Sequence, residues 1–302
     1  MNILVTGGTG FLGRHLVPHL QKAGHTILVA NSKNCDLNTR ESLLDLCRGK
    51  KFDRIYHLAA WTKAGDFCLH HQGEQWVVNQ NIHTNALWYW KEYQPQALMI
   101  TMGTSCSYPY GDAALREEDY LKGEPDPTLF TYAMTKRMLY AGLLAFEKQF
   151  HMRFQHLIPS TLYGPGFEVR DNHFIFDLMK KIHAGKTRGE EVVLWGTGEQ
   201  VRELMFVDDA VRLIELAAQL PTSENLNLGS GQGFSIRQYA ELLCEIIGYD
   251  PKKIRYNADA PYVGNPKRYF DTTKIRRFFP NFQYTDLREG LRRTFAYYES
   301  SV

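Results

Sequence analysis

Ile3-Leu4-Val5-Thr6-Gly7-Gly8-Thr9-Gly10-Phe11-Leu12-Gly13 decides the fold of this chain. The apolar run from Ile3 stops abruptly at Gly7, as a buried strand of a parallel sheet does. Beyond Gly13 the apolar residues Leu16, Val17 and Leu20 recur at helical spacing. Glycines between such a strand and helix let the backbone turn tightly and approach a pyrophosphate, because the unpaired N–H groups and dipole of a helix N-terminus favour an anion. Gly7-x-x-Gly10-x-x-Gly13 departs from the commoner G-x-G-x-x-G spacing, yet its strand–turn–helix context makes it a dinucleotide fingerprint. The pyrophosphate is expected over Gly10, Phe11 and Leu12. An ordinary strand–turn–helix corner is the alternative.

The same rhythm continues outward. Residues 25–30 read as a second strand, 54–58 as a third ending in Ala59-Ala60, 97–102 as a fourth, and 153–158 as a fifth ending at Pro159. Helical patterns over 42–47, 77–93 and 131–150 lie between them. Short apolar runs alternating with helices specify an α/β fold, a doubly wound parallel (Rossmann) sheet with a smaller, interleaved C-terminal substrate lobe. After Gly164-Pro165-Gly166 the rhythm becomes irregular, with helices over 174–183, 208–220, 235–247 and 287–298 and strands over 192–195 and 225–228. The expected division is a dinucleotide-binding domain over 1–165, with elements of about 199–230 returning to it, and a substrate lobe from 166–198 and 231–302. Pro and Gly punctuate 108–129, which reads as loop.

The 302 residues, 44% hydrophobic and 23% charged, can bury a large core. A net charge of +2 is too small to imply nucleic acid or a membrane surface. Cys35, Cys47, Cys68, Cys106 and Cys244 are odd in number and form no C-x-x-C pair, which argues against a disulfide framework or zinc and for a reducing compartment. His15, His19, His70 and His71 show no ligand arrangement, so no metal is expected. The first apolar run is too short for a signal peptide and no later one spans a membrane, so the expected location is the cytoplasm.

Tyr132-Ala-Met-Thr-Lys136 follows Thr104-Ser105-Cys106. Positions i and i+4 share a helix face, so Tyr132 and Lys136 reach one pocket. The ammonium is expected to lower the phenol, which otherwise titrates too high for acid–base work. Thr104 adds a hydroxyl for the same carbonyl oxygen. Behind a glycine turn, these residues point to hydride transfer at a carbonyl or alcohol carbon. An NAD site usually places a carboxylate after its second strand, but here Ala30-Asn31-Ser32-Lys33 holds none. Ser32 and Lys33 suit a 2′-phosphate, pointing to NADP(H), with NAD(H) the alternative. Asp36 and Leu37 come later and are expected to face the adenine, unless Asp36 is a turn carboxylate.

Gly7-Gly8-Thr9-Gly10-Phe11-Leu12-Gly13, His57-Leu58-Ala59-Ala60, Tyr132-x-x-x-Lys136, Tyr163-Gly164-Pro165 and Arg202-Glu203-Leu204-Met205-Phe206-Val207-Asp208-Asp209 together resemble the extended short-chain dehydrogenase/reductases of nucleotide sugars. Gly103-Thr104-Ser105-Cys106-Ser107-Tyr108-Pro109 looks like the G-S-S-C-x-Y-P segment of the GDP-L-fucose synthases, NADPH-dependent 3,5-epimerase/4-reductases of GDP-4-keto-6-deoxymannose. The resemblance implies cofactor contacts from Leu58, Ala59, Ala60 and Pro159 as well as Tyr132 and Lys136. It implies Cys106 as base and His173 as acid for inverting carbons beside the ketone. It also implies diphosphate contacts from Lys181, Arg202 and Arg268, with Trp195 as an apolar or stacking wall. Read without it, Cys106 is a small buried hydrophobe, His173 a helix-start histidine and Lys181 a solvated helix face. Asp208 and Asp209 read as caps of the following helix. Three departures from the family bear on the substrate: a shorter segment between Pro165 and His173, Phe176 in place of proline, and Thr161 in place of asparagine.

The leading expectation is reduction, with C3 and/or C5 epimerisation, of a GDP-linked 4-keto-6-deoxy sugar. A plain nucleotide-sugar 4-ketoreductase or 4-epimerase without Cys106 chemistry is the second reading. A non-catalytic dinucleotide-sensing regulator is a third, though it would not need an intact Thr104, Tyr132 and Lys136. A homodimer is expected through the helices at 77–93 and 131–150, since Trp76, Trp88, Tyr89, Trp90 and Tyr93 exceed what one core-facing stripe uses. The alternative is that these aromatics pack beneath the 108–129 loop.

Overall fold

The computed structural model describes residues 1–62, 67–168, 173–259 and 264–302. The glycine stretch joins β1 (Asn2–Thr6) to α1 (Phe11–Lys22). Ile3 and Val5 pack on one face of the sheet with Leu16 and Leu20, while Leu4 packs on the other with Ile55 and Trp90. Burial on both faces explains why β1 is continuously apolar rather than alternating. The chain continues through β2 (Thr26–Ala30), α2 (Arg40–Leu46), β3 (Arg54–His57), α3 (Phe67–His70), α4 (Gln72–Tyr93), β4 (Leu98–Met102), α5 (Phe130–Phe150) and β5 (Phe154–Pro159).

These five strands and β9 (Glu224–Leu228) form one parallel sheet in the order β2-β1-β3-β4-β5-β9. The order reverses between β1 and β3, and the glycine turn lies at that switch point, where crevices open beyond the carboxyl ends of strands. Between β5 and β9 the chain makes β6 (Thr161–Tyr163), α6 (Phe174–Arg188), β7 (Val193–Trp195), β8 (Val201–Phe206) and α7 (Val207–Ala217). It then adds β10 (Gly233–Ser235), α8 (Ile236–Ile247), β11 (Arg255–Asn257), β12 (Lys267–Arg268), α9 (Thr273–Phe278) and α10 (Leu287–Glu299). β8 is the hub of a small sheet, pairing with β6, β10 and β12, while β7 pairs with β11.

A separate apolar cluster joins α6, α8 and α10 through Met179, Ile182, Tyr239, Leu243 and Leu291. Phe176 is buried there, stacked on Phe167 at 4.0 Å and edge-on to Phe11 of α1 at 6.0 Å. The residue that departs from the family pattern thus braces the lobe against the glycine-turn helix. Short strands such as β8 and β12 were not anticipated, because a few residues of mixed polarity carry no readable period.

Two expectations need correcting. Asp208 and Asp209 do not cap α7, which starts one residue earlier. Asp208 instead binds His15 and Arg293, and Asp209 binds Thr285 and Arg212. On α4, Tyr89 and Trp90 are core residues, with the Trp90 indole donating to the Ala97 carbonyl at 2.9 Å. Trp88 lies edge-on to Tyr93 beneath Arg40. Of that aromatic group only Trp76 is exposed, so the surplus packs inward rather than beneath the 108–129 loop.

Candidate active site

α1, with Gly10 at its N-terminal cap, has no side-chain cap and no acid in its first turn. Its leading N–H groups lack intrahelical partners. Gly7 adopts φ +70°, and a Cβ there would stand 2.8 Å from the Ala59 nitrogen. A Cβ on Gly13 would stand 2.5 Å from the Gly8 carbonyl carbon. Leu58, Ala59 and Ala60 follow β3 over this turn, Leu58 N donating to the Thr6 carbonyl at 3.1 Å. The turn therefore offers bare N–H groups with no side chain in the way, a fit for the pyrophosphate of a dinucleotide.

Ser32 and Lys33 lie exposed just after β2, in a turn where Asn31 Oδ1 accepts from Lys33 N at 2.9 Å. Asp36 accepts from the backbone and side-chain amides of Asn38 at 3.0 and 2.9 Å, which draws its carboxyl below the usual range. These bonds brace the turn that follows β2. Leu37 is buried with Leu43 and Ile55, so Asp36, not the Leu37 side chain, is at the surface. Pro159 is partly exposed at the end of β5.

Thr104 follows β4 and caps a single 3-10 turn, its Oγ1 accepting from Cys106 N at 3.3 Å. α5 sets Tyr132 and Lys136 one turn apart, with the Thr104 side chain near enough to act on the Tyr132 phenol. Burial pushes that phenol up, the neighbouring Cys106, Tyr120 and Cys68 add to the push, and Thr104 draws it back. Lys136 is buried, which depresses it to about 8. The phenol is thus raised rather than lowered as expected, and the ammonium is depressed too, because packing around both groups disfavours charge on either.

Cys106 is partly exposed, whereas Cys35, Cys47, Cys68 and Cys244 are buried. Its Sγ accepts from Arg268 Nη1 at 3.3 Å. Arg268 and Arg202 stand in register across β12 and β8. Burial, then the neighbouring Arg268, lowers Arg202 to about 10. Two guanidiniums side by side suit a dianionic group. Lys181 pairs with Asp177 at 2.8 Å and lies over the exposed Trp195 ring at 5.9 Å. His173 sits exposed at the start of α6, its ring edge-on to Phe176. Part of the shortened segment before it, 169–172, lies outside the described residues.

Sequence reading missed several groups. Arg137, directly after Lys136, donates to the carbonyls of Ser107, Lys122 and Gly123, each at 2.7 Å, and so fastens the Cys106 turn and the 108–129 loop to α5. Glu203 is buried and accepts from Phe270 N at 2.8 Å and Gly231 N at 2.9 Å. Thr6, His57 and His83 form a buried chain, with gaps of 2.8 and 2.9 Å. Burial and then the Lys136 charge hold His57 at about 3 and His83 well below its ordinary value, so both rings are neutral. Asp126 caps the 3-10 turn before α5, a role that its place before Pro127 would have signalled.

A parallel sheet with a bare glycine turn at its switch point, and a Tyr–Lys pair on the helix beside a threonine turn, defines an extended short-chain dehydrogenase/reductase. A family model described as the NAD dependent epimerase/dehydratase family matches residues 3–229, and the chain belongs to that family. GDP-L-fucose synthase 1 of Arabidopsis thaliana is 30% identical over 99% of this chain and 94% of its own length. GDP-L-colitose synthase of Yersinia pseudotuberculosis is 29% identical over 99% and 98%. Among solved structures, an NADP-bound GDP-L-fucose synthetase of Naegleria fowleri has the same fold, with a TM-score of 0.85 and 24% identity over 99% of this chain and 94% of that one. Among the described residues, no helix is long and apolar enough to cross a membrane.

Proposed function

We propose that this enzyme reduces a GDP-linked 4-keto-6-deoxy sugar and first inverts C3 and/or C5. The observation that carries the reading is Cys106: it is the one partly exposed cysteine, on the turn that holds Thr104, beside Tyr132 and against a guanidinium. NADPH is the proposed reductant, since Ser32 and Lys33 stand where an NAD site has its acid; when bound, it supplies hydride to C4. Full-length relatives named for GDP-sugars support the substrate class.

The chain's own residues divide the work. A ketone at C4 acidifies the neighbouring C–H bonds by stabilising an enolate. The Cys106 sulfur takes the proton, the C–H electron pair moves towards the C4 oxygen, and Thr104 and Lys136 stabilise the charge there. His173 returns a proton to the opposite face. Tyr132 then protonates the C4 oxygen as the ketone is reduced. Arg202, Lys181 and Trp195 bind the nucleotide diphosphate end. We also infer a homodimer through α4 and α5.

NMR in D2O tests the division. Enzyme incubated with a GDP-4-keto-6-deoxy sugar and no cofactor should incorporate deuterium at C3 or C5. Tyr132→Phe should lose NADPH oxidation while exchange continues. Cys106→Ser should lose exchange by about 10²- to 10⁴-fold, the usual cost of removing a general base. Wild-type exchange in Cys106→Ser would leave a plain 4-ketoreductase.

A further inference from the structure

We propose that Asp126, Arg268 and Cys106 form a relay in which Asp126 aims Arg268, and Arg268 holds and polarises the Cys106 sulfur. Arg268 is then a positioning residue for the base as well as a neighbour of the diphosphate cations. The inference deepens the reading of Cys106 as the base and rests on it.

The geometry runs inward from the sulfur. Arg268 Nη1 lies 3.3 Å from Cys106 Sγ, and Nη2 lies 3.8 Å from Asp126 Oδ2. Both charged side chains are withdrawn from solvent, 13% and 2% exposed respectively. Asp126 divides its two oxygens. Oδ1 accepts from Thr128 N at 3.0 Å and Thr128 Oγ1 at 2.7 Å, which fixes the carboxylate just ahead of the helix that carries Tyr132 and Lys136. Oδ2 is buried and has no hydrogen-bond partner among the described residues; Arg268 pairs with it, and the charge of Arg202 also reaches this carboxylate. A buried carboxylate with an unmet oxygen is costly unless a charge answers it.

The guanidinium is equally constrained from its own backbone. β12 places Arg268 opposite Arg202, and the buried Glu203 holds the Phe270 nitrogen two residues on. Arg202 spends Nη1 on the carbonyls of Val201 and Asn265, at 2.8 and 2.7 Å, and feels the charges of Cys106 and Asp126 from its place beside Arg268. A contact made only for a diphosphate would have no use for a sulfur at one end and a buried acid at the other. A nucleophilic or basic group, its immediate partner and a third group that orients the partner is the arrangement of activated catalytic residues generally. A donor guanidinium stabilises charge on sulfur, and the charged form is the competent one.

Alkylation of the full-length protein by iodoacetamide at pH 7, followed by peptide mass spectrometry, reads the sulfur directly. The four buried cysteines report any variant that merely loosens the fold. Arg268→Met is expected to slow alkylation of Cys106 roughly tenfold, with Arg268→Lys recovering part of the loss and Asp126→Asn slowing it about two- to fivefold. The buried cysteines should stay unlabelled. Deuterium exchange at C3 or C5 should fall in kcat in the same order, with KM within about threefold of wild type. Wild-type alkylation of Cys106 in Arg268→Met overturns the relay. So does a KM raised more than about tenfold with exchange kcat intact, which would make Arg268 a diphosphate contact alone. Slowed alkylation together with normal exchange in Cys106→Ser would keep the relay and remove the epimerase reading.

Discussion

Lys136 shows how far one residue's chemistry was legible and where legibility ended. Its spacing from Tyr132 gave the shared pocket, because i and i+4 fix a helix face without reference to the rest of the fold. Its electrostatics did not follow, since burial depends on what other segments cover it. Covered as it is, Lys136 falls to about 8. The folded state therefore gives up this proton at lower pH than the unfolded chain does. The cost of burying the charge is felt in full below about 8 and fades as pH rises from there towards the ordinary value near 10.4. Lys136→Met removes the buried cation and keeps its apolar stem. At pH 7 the variant is expected to melt at or above the wild-type temperature by calorimetry, while NADPH oxidation falls about 10²- to 10⁴-fold. A lower melting temperature would mean that the ammonium has a stabilising partner.

At the scale of elements, the sequence read well wherever a period ran long enough. α5 and α8 lie within one residue of their expected bounds and α4 ends where expected but starts five residues earlier, at Gln72, and the βα rhythm yielded the parallel sheet. The hub strand β8 was hidden because its inward residues include a carboxylate. Glu203 stitches β8 to the 229–231 turn and to the segment after β12 through backbone N–H groups that hydropathy cannot foresee. Burial raises this carboxyl to about 7. Between the unfolded value near 4.3 and about 7, the folded state keeps a proton that the unfolded chain has lost, so stability falls as pH rises through that window. Glu203→Gln is expected to flatten this stretch of the pH–stability curve, measured as urea midpoints between pH 4.5 and 8. An unchanged slope would assign it to another group.

At the scale of the whole molecule, the outer face of α4 and α5 bears on assembly. Val77 on α4 and Met138 on α5 remain 56% and 46% exposed after the inward aromatics are accounted for, exposed apolar side chains of the kind a pairing surface would cover. Light scattering at micromolar concentration should give twice the chain mass, and the pair Val77→Asp and Met138→Asp should give a monomer with its melt otherwise preserved. A wild-type monomer would end this proposal. The central sheet carries a different consequence, one of time. β5 receives its outer neighbour only when β9 has been made, and the whole span from Pro159 to Glu224 must leave the ribosome first. At about 5–20 residues per second, the apolar edge of β5 waits on the order of seconds for its partner. A chain halted in that interval carries an open strand edge, the kind that recruits other chains. The nascent protein is thus most vulnerable to aggregation while it is making the segment that separates β5 from β9.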